Sequence, residues 1–269
     1  MIQIGILGCG TIGSALAKAV LKKFPQKARL QFVSDHHPDQ IIKLRKQLKV
    51  NFKSVSISEL IRRSDFIIEA ASVKASEKIV PLVLAAGKEI LVLSVGGILK
   101  IKNLQNLLNR SQGGKVYIPS GAIAGLDGVL GSKNGGIKSV RITTRKPLKS
   151  LAQAPFFLKQ GFRSDRIKKP TLIFEGNALK AIEHFPENVN VAASLSLAGI
   201  GPKKTKVRIF TSPTYRYNQH EIEIQGGYGQ IVTRVTNVPS RENPKTSALA
   251  IGSAIATLEK IFSPIKIGT

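Results

Sequence analysis

The chain has 269 residues, 42% of them hydrophobic, which supports a real core in two domains or one large one. No apolar run of ~20 residues is free of charge, so no transmembrane helix is expected and the chain is read as not contacting membrane. The 41 Lys+Arg against 16 Asp+Glu give a formal charge of +25, spread over both halves without a basic tail or an aromatic-rich basic motif. This reads as a solvated surface that attracts anions and touches nucleic acid only non-specifically.

The first element is a strand, Ile2-Gln3-Ile4-Gly5-Ile6-Leu7, which the chain enters without a basic leader or cleavage site, so no signal peptide is expected. Gly8-Cys9-Gly10-Thr11-Ile12-Gly13 follows and reads G-x-G-x-x-G, and the good helix formers of residues 14–21 come after it. In a βαβ unit the first glycine permits the tight turn and the second lets backbone approach a pyrophosphate. The third lets the helix pack on the strand, and the helix N-terminus offers free N–H groups to the phosphates. Gly8, Gly10, Thr11, Ile12 and Gly13 are therefore candidate cofactor contacts. Cys9, the only cysteine, cannot form an internal disulfide; it reads as a small filler and suits a reducing cytoplasm.

A second strand over residues 29–34 ends at Asp35, at about the ~20-residue distance from the glycines expected of the acid that binds the ribose hydroxyls. A carboxylate there favours NAD over NADP, although His36 and His37 could soften its repulsion of a 2′-phosphate. The alternative for Asp35 is an ordinary turn residue before Pro38.

Helix and strand signals then alternate to Pro119: helices over 41–48, from 58, over 75–86 and over 101–108, and strands over 65–71, 89–94 and 116–119. Continuous apolar strands alternating with helices predict a Rossmann-type doubly wound parallel sheet, covered on both faces. Ala70-Ala71-Ser72 and Ser94-Val95-Gly96-Gly97 fall at strand ends, so Ala71 and Ser94 are expected to line the cofactor crevice. Residues 1–119 are read as the dinucleotide-binding domain.

After Pro119 a run of small residues, 120–128, marks a domain junction. Strand alternation recurs over 137–144, 171–175, 205–211, 219–225 and 229–238, with helices near 177–182 and 189–197. This predicts an α+β domain over 120–242 with an open, mostly antiparallel sheet. A terminal helix over 243–263, capped by Asn243 and with Pro244 in its first turn, is expected to pack back on the first domain.

Several of these stretches together are specific. Ile118-Pro119-Ser120-Gly121-Ala122-Ile123-Ala124-Gly125-Leu126-Asp127 resembles the signature loop of the L-aspartate dehydrogenases. So do Phe185-Pro186-Glu187-Asn188-Val189-Asn190-Val191-Ala192-Ala193, Asn218-Gln219-His220-Glu221-Ile222 with Gly226-Gly227-Tyr228-Gly229, and Asn237-Val238-Pro239-Ser240 with Glu242-Asn243-Pro244-Lys245-Thr246-Ser247. The resemblance covers almost the whole chain. It implies oxidation of L-aspartate to iminoaspartate with NAD or NADP, hydrolysis to oxaloacetate and ammonia, and a route from the imine into NAD biosynthesis. It further implies that Ala124 and Asn190 contact the cofactor, that His220 is catalytic, and that the protein is a cytoplasmic homodimer whose second domain dimerises. No metal is implied.

The chemistry suits these residue types. Hydride leaves Cα only from an uncharged amine, and water must then attack the imine; a histidine, titrating near about 6.5, can serve both steps. His220 shares a strand face with Ile222 and Ile224 and points to the packed side or into a cleft; the alternative is a hydrogen-bonded core histidine. His184 is a weaker candidate, and His36 and His37 belong to the cofactor side. Asn188 is the better-placed helix cap, which leaves Asn190 free for ligand. The substrate's carboxylates need cations, among which the sequence does not choose; Lys245 is named as one. Two other readings stay open. One is a homoserine dehydrogenase-like or dihydrodipicolinate reductase-like enzyme; the other is a non-catalytic NAD-sensing or nucleic-acid-binding protein.

Overall fold

Six strands build the sheet of the first unit: β1 (Ile2–Leu7), β2 (Ala28–Ser34), β3 (Lys53–Ser54), β4 (Phe66–Glu69), β5 (Glu89–Val92) and β6 (Val116–Tyr117). All pairs are parallel, in the order β3-β2-β1-β4-β5-β6. Helices α1 (Thr11–Lys23), α2 (Pro38–Leu48), α3 (Ile57–Arg63), α4 (Val73–Ala85) and α5 (Leu104–Arg110) make the crossovers. The interior strands are buried along nearly their whole length, as a sheet covered on both faces requires. The order reverses at β1, which has β2 on one side and β4 on the other, so ligand space opens beyond the carboxyl ends of these two pairs.

This is a computed structural model; it describes residues 1–151, 155–186, 189–243 and 246–268. The chain divides into two compact units, Met1–Pro119 with Ser253–Lys266, and Ser120–Gly252. Glu187, Asn188, Pro244 and Lys245, singled out above, lie outside the described residues.

The second unit carries β7 (Ile137–Pro147), β8 (Thr171–Asn177), β9 (Lys206–Ser212), β10 (Asn218–Gly226) and β11 (Gly229–Asn237), in the order β11-β10-β7-β9-β8. Its pairs are antiparallel except β7 with β9. Its helices are α6 (Leu126–Ser132), α7 (Leu148–Leu151), α8 (Pro155–Lys159), α9 (Ala178–His184) and α10 (Asn190–Ala198). Of these, α7 packs on β7 and β9, α9 on β8 and β9, and α10 on α6 and α9.

Strand periodicity sorts the side chains of this sheet. One face buries Val140, Ile142, Thr144 and Lys146 of β7, Val207, Ile209 and Thr211 of β9, and His220, Ile222 and Ile224 of β10. The other face carries an ion-pair ladder. Arg141 grips both oxygens of Glu223 (3.0 and 2.5 Å), and Glu221 takes Arg145 (3.6 Å) and Arg234 (2.7 Å). Such half-exposed pairs contribute only about 0–1 kcal/mol each, so the buried face supplies the stability. It is apolar at one end and polar at the other.

The last helix, α11 (Ala248–Phe262), starts later than the sequence suggests. Asn243 therefore stands too far upstream to cap it, and its carbonyl instead accepts the Thr246 N–H in a turn (2.9 Å). From Ser253 onward α11 belongs with the first unit, where Ala254 and Leu258 join the core of Ile4, Leu16, Val20 and Phe66. Phe262 lies 5.1 Å from Phe24 and 6.1 Å from Phe66, ring centre to ring centre. Lys23 pairs with Glu259 on the rim.

Candidate active site

In the first unit the loops after β1, β2, β4 and β5 converge. Gly8 sits at φ +95°, open to glycine at little cost, and donates its N–H to Ser34 O (2.8 Å). A Cβ there would lie 2.6 Å from Ala70 O, and a Cβ on Gly13 would lie 1.9 Å from Gly8 O. At Gly10 an added Cβ would meet nothing within 4 Å. Packing within the protein thus accounts for the outer glycines but not for the middle one. Gly10 precedes α1, whose N-terminus has no side-chain cap and no acid in its first turn. The open space beside uncapped N–H groups fits a pyrophosphate, with Gly10, Thr11 and Ile12 around it.

Asp35 is held against this loop. Its Oδ2 accepts the Cys9 N–H (2.6 Å) and its Oδ1 accepts the His37 N–H (2.8 Å). The carboxylate is half-buried at the end of β2, beside the glycine turn, as a ribose-binding acid must be. Burial and the neighbouring Asp35 charge push the Cys9 thiol up to about 12, so it stays protonated and unreactive. His36 and His37 are exposed.

Glu69, which the sequence reading passed over, organises the other two loops. It is fully buried at the end of β4. Its Oε1 accepts the N–H groups of Ala71 (2.9 Å) and Ser72 (3.1 Å), and its Oε2 accepts that of Ser94 (3.0 Å). Burial raises its pKa, and the backbone N–H groups pull it back. Ala71 and Ser94 are thereby brought together through one carboxylate. The signal was an acid inside an otherwise apolar strand, Phe66-Ile67-Ile68-Glu69.

In the second unit His220 sits on the polar end of the buried face. It pairs with Thr144 on β7 and Val235 on β11, and its Nδ1 lies 3.0 Å from Thr144 Oγ1. Burial first, and the Lys146 charge second, push His220 down to about 3, so the ring is neutral at ordinary pH. Lys146 stands two residues beyond Thr144 on the same face, paired across β9 with Thr211. Thr211 Oγ1 donates to the Lys146 carbonyl (2.9 Å), and burial lowers the ammonium to about 8. The sequence reading stopped this strand at Thr144; two more residues of the same alternation reach Lys146.

The loop bearing Ala124 is fastened alongside. Asn237 Nδ2 donates to Ala122 O (3.0 Å) and Thr233 Oγ1 to Ala124 O (3.2 Å). Both β11 residues flank Val235, the strand partner of His220. Ala124 itself is exposed. The same loop approaches α10, since a Cβ on Gly121 would lie 3.7 Å from Val191 Cγ1. Asn190 opens that helix. His184 is elsewhere: its ring lies 4.4 Å from Phe156 and 5.9 Å from Phe174, a packing role in an aromatic cluster. Among the described residues no group of His, Cys, Asp and Glu could hold a metal ion.

Residues 127–261 match the family described as "Aspartate dehydrogenase, C-terminal", and residues 8–119 match "Homoserine dehydrogenase, NAD binding domain". The homoserine dehydrogenase likeness is thus confined to the dinucleotide half. The chain is 46% identical over 272 residues to the L-aspartate dehydrogenase of Methanosarcina barkeri, covering all of both chains. It is 44% identical over 272 residues to that of Methanococcoides burtonii, again over all of both. Among solved structures, an aspartate dehydrogenase from Thermotoga maritima matches over all of both chains, with TM-score 0.74 and 26% identity.

Proposed function

The chain belongs to the L-aspartate dehydrogenase family, and from that premise we propose how its own residues carry the reaction. It is an NAD(P)-dependent oxidoreductase that converts L-aspartate to iminoaspartate, which hydrolyses to oxaloacetate and ammonia. The observation that carries the proposal is the buried His220–Thr144 pair at the polar end of an otherwise apolar sheet face.

When bound, the nicotinamide supplies the hydride acceptor. In the first unit Gly10, Thr11 and Ile12 would hold the pyrophosphate of the dinucleotide, in a loop shaped by Gly8 and Gly13, with Asp35 at its ribose and Ala71 and Ser94 lining the crevice; in the second unit Ala124 and Asn190 would be the cofactor contacts. His220 is the catalytic residue. For its Nε2 to take a proton, Nδ1 must carry the ring hydrogen and donate it to Thr144 Oγ1. Thr144 is thus a positioning residue that engages Nδ1 and, in that tautomer, leaves Nε2 for the substrate. The neutral imidazole accepts a proton from the α-ammonium of L-aspartate, freeing the lone pair that drives hydride from Cα. Once that proton has been released to solvent, the neutral ring takes a proton from the water that attacks the imine. A dicarboxylate beside it favours imidazolium, which raises its basicity from the value set by burial.

We place the enzyme in the cytoplasm as a homodimer formed by the second unit, supplying iminoaspartate to NAD biosynthesis, with nucleic acid touched only non-specifically. The one cysteine, kept as a buried thiol, suits a reducing compartment. The test is absorbance of the reduced nicotinamide on adding L-aspartate with NAD and with NADP separately. Turnover with L-aspartate is expected; no turnover with either cofactor would overturn the reading.

A further inference from the structure

We propose that Lys146 is the cation that receives a carboxylate of the substrate beside His220. The inference rests on the aspartate-oxidising reading above and adds the residue that recognises the substrate's anionic end.

L-aspartate carries two carboxylates, and an anion brought into a buried site needs a charge partner with donors. The chain offers 41 lysines and arginines. Among the described residues Lys146 alone of them is buried, at 7% exposure. Strand alternation puts it on the face of Thr144, the residue bonded to His220. The Thr211 hydroxyl bonded to its carbonyl, and its pairing to β9, fix where the side chain begins. The acids of β10, Glu221 and Glu223, stand on the opposite face, engaged with Arg145, Arg234 and Arg141.

The electrostatics agree with this geometry. Lys146 lies close enough for its charge to lower the affinity of His220 for a proton. Burial makes the ammonium unfavourable in the protein alone. A carboxylate placed against it would offset the cost of burying that charge and at the same time ease protonation of His220. One cation would thus couple substrate binding to the readiness of the base. A different chemistry for a buried lysine is to act as the base itself, and the experiment separates the two.

The experiment is steady-state kinetics of wild type, Lys146→Met and Lys146→Arg with saturating NAD, together with inhibition by succinate, a dicarboxylate with no amine to deprotonate. Lys146→Met is expected to raise both KM for L-aspartate and Ki for succinate by roughly 100-fold, the scale of losing a charged hydrogen bond. NADH affinity should stay at the wild-type value, and Lys146→Arg should recover part of both losses. Unchanged KM and Ki in Lys146→Met would overturn the proposal. A fall in kcat with unchanged succinate Ki would overturn it in favour of a base. If Lys146→Met fails to fold, a crystal structure of the wild type with NADH and succinate decides. A carboxylate oxygen within hydrogen-bond reach of Lys146 Nζ supports the proposal, and succinate absent from that position overturns it. A wild type inactive on L-aspartate defeats the functional reading, whereas an active one indifferent to Lys146→Met defeats this inference alone.

Discussion

Thr144 Oγ1 and His220 Nδ1 face each other at 3.0 Å across the antiparallel pair β7–β10, both buried. The contact engages Nδ1 and so leaves Nε2 as the ring nitrogen for chemistry. His220→Ala is expected to lower kcat by ~10²-fold or more, the usual scale for a general acid–base residue, with cofactor affinity nearly unchanged. Thr144→Val keeps the shape and removes the partner, so kcat should fall with little change in NADH affinity. Stopped-time assays and NADH fluorescence titration check both; near-wild-type turnover of His220→Ala removes it from the mechanism.

The low proton affinity of His220 has a stability consequence. Its pKa drops from 6.5 to about 3 on folding, by burial and by Lys146. Between those values the unfolded chain holds a proton that the folded chain does not. Stability is therefore lost as pH falls from 6.5 towards 3, at about 1.4 kcal/mol per pH unit, and the full penalty is present below 3. Lys146, lowered from 10.5 to about 8, makes stability rise with pH across that window by the same arithmetic. Urea unfolding of wild type and His220→Gln at several pH values should show the acid-side slope flattened in the variant. Parallel slopes would mean the ring is not desolvated.

Glu69 accepts three backbone N–H groups with its two oxygens. In Glu69→Gln one oxygen becomes an amide donor that can satisfy none of them, and a buried N–H left unpaired costs about 1–3 kcal/mol. The variant should melt several degrees lower and show a raised KM for NAD, with Glu69→Ala worse in both. Calorimetry with NAD-dependent kinetics tests this; an unaltered KM for NAD would separate the Glu69 loops from the cofactor.

Asp35 fastens the Cys9 N–H, and in the proposed function it also reads the ribose. Asp35→Ala should raise the NADP/NAD ratio of kcat/KM by about tenfold, about 1.4 kcal/mol for removing a repelling charge. An unchanged ratio would mean that Asp35 serves the glycine turn and does not read the ribose.

Much of this is legible in the amino-acid sequence. The glycines at 8, 10 and 13 stand where a strand becomes a helix, and Asp35 ends the next strand. Hydrophobic periodicity placed ten of the strands to within a few residues, because side-chain alternation is a local property of backbone geometry. What it missed was short or late: the two-residue strand β3, the extension of β7 to Pro147, the short helices α6, α7 and α8, and the start of α11 at Ala248. A strand two residues long has no period to detect, and a lysine at position 146 looks like a strand's end when only hydropathy is read.

The sequence by itself determined a dinucleotide loop, a second domain of alternating strands, and His220 on the strand face of Ile222 and Ile224. Each of these follows from neighbours within a few residues. Only the tertiary structure decided that β7 lies between β9 and β10, so that Thr144 meets His220 and Lys146 is carried into the interior beside it. Strand order is set by long-range pairing, and burial of a charge is a property of everything packed around it. Neither is written at the positions where those residues occur.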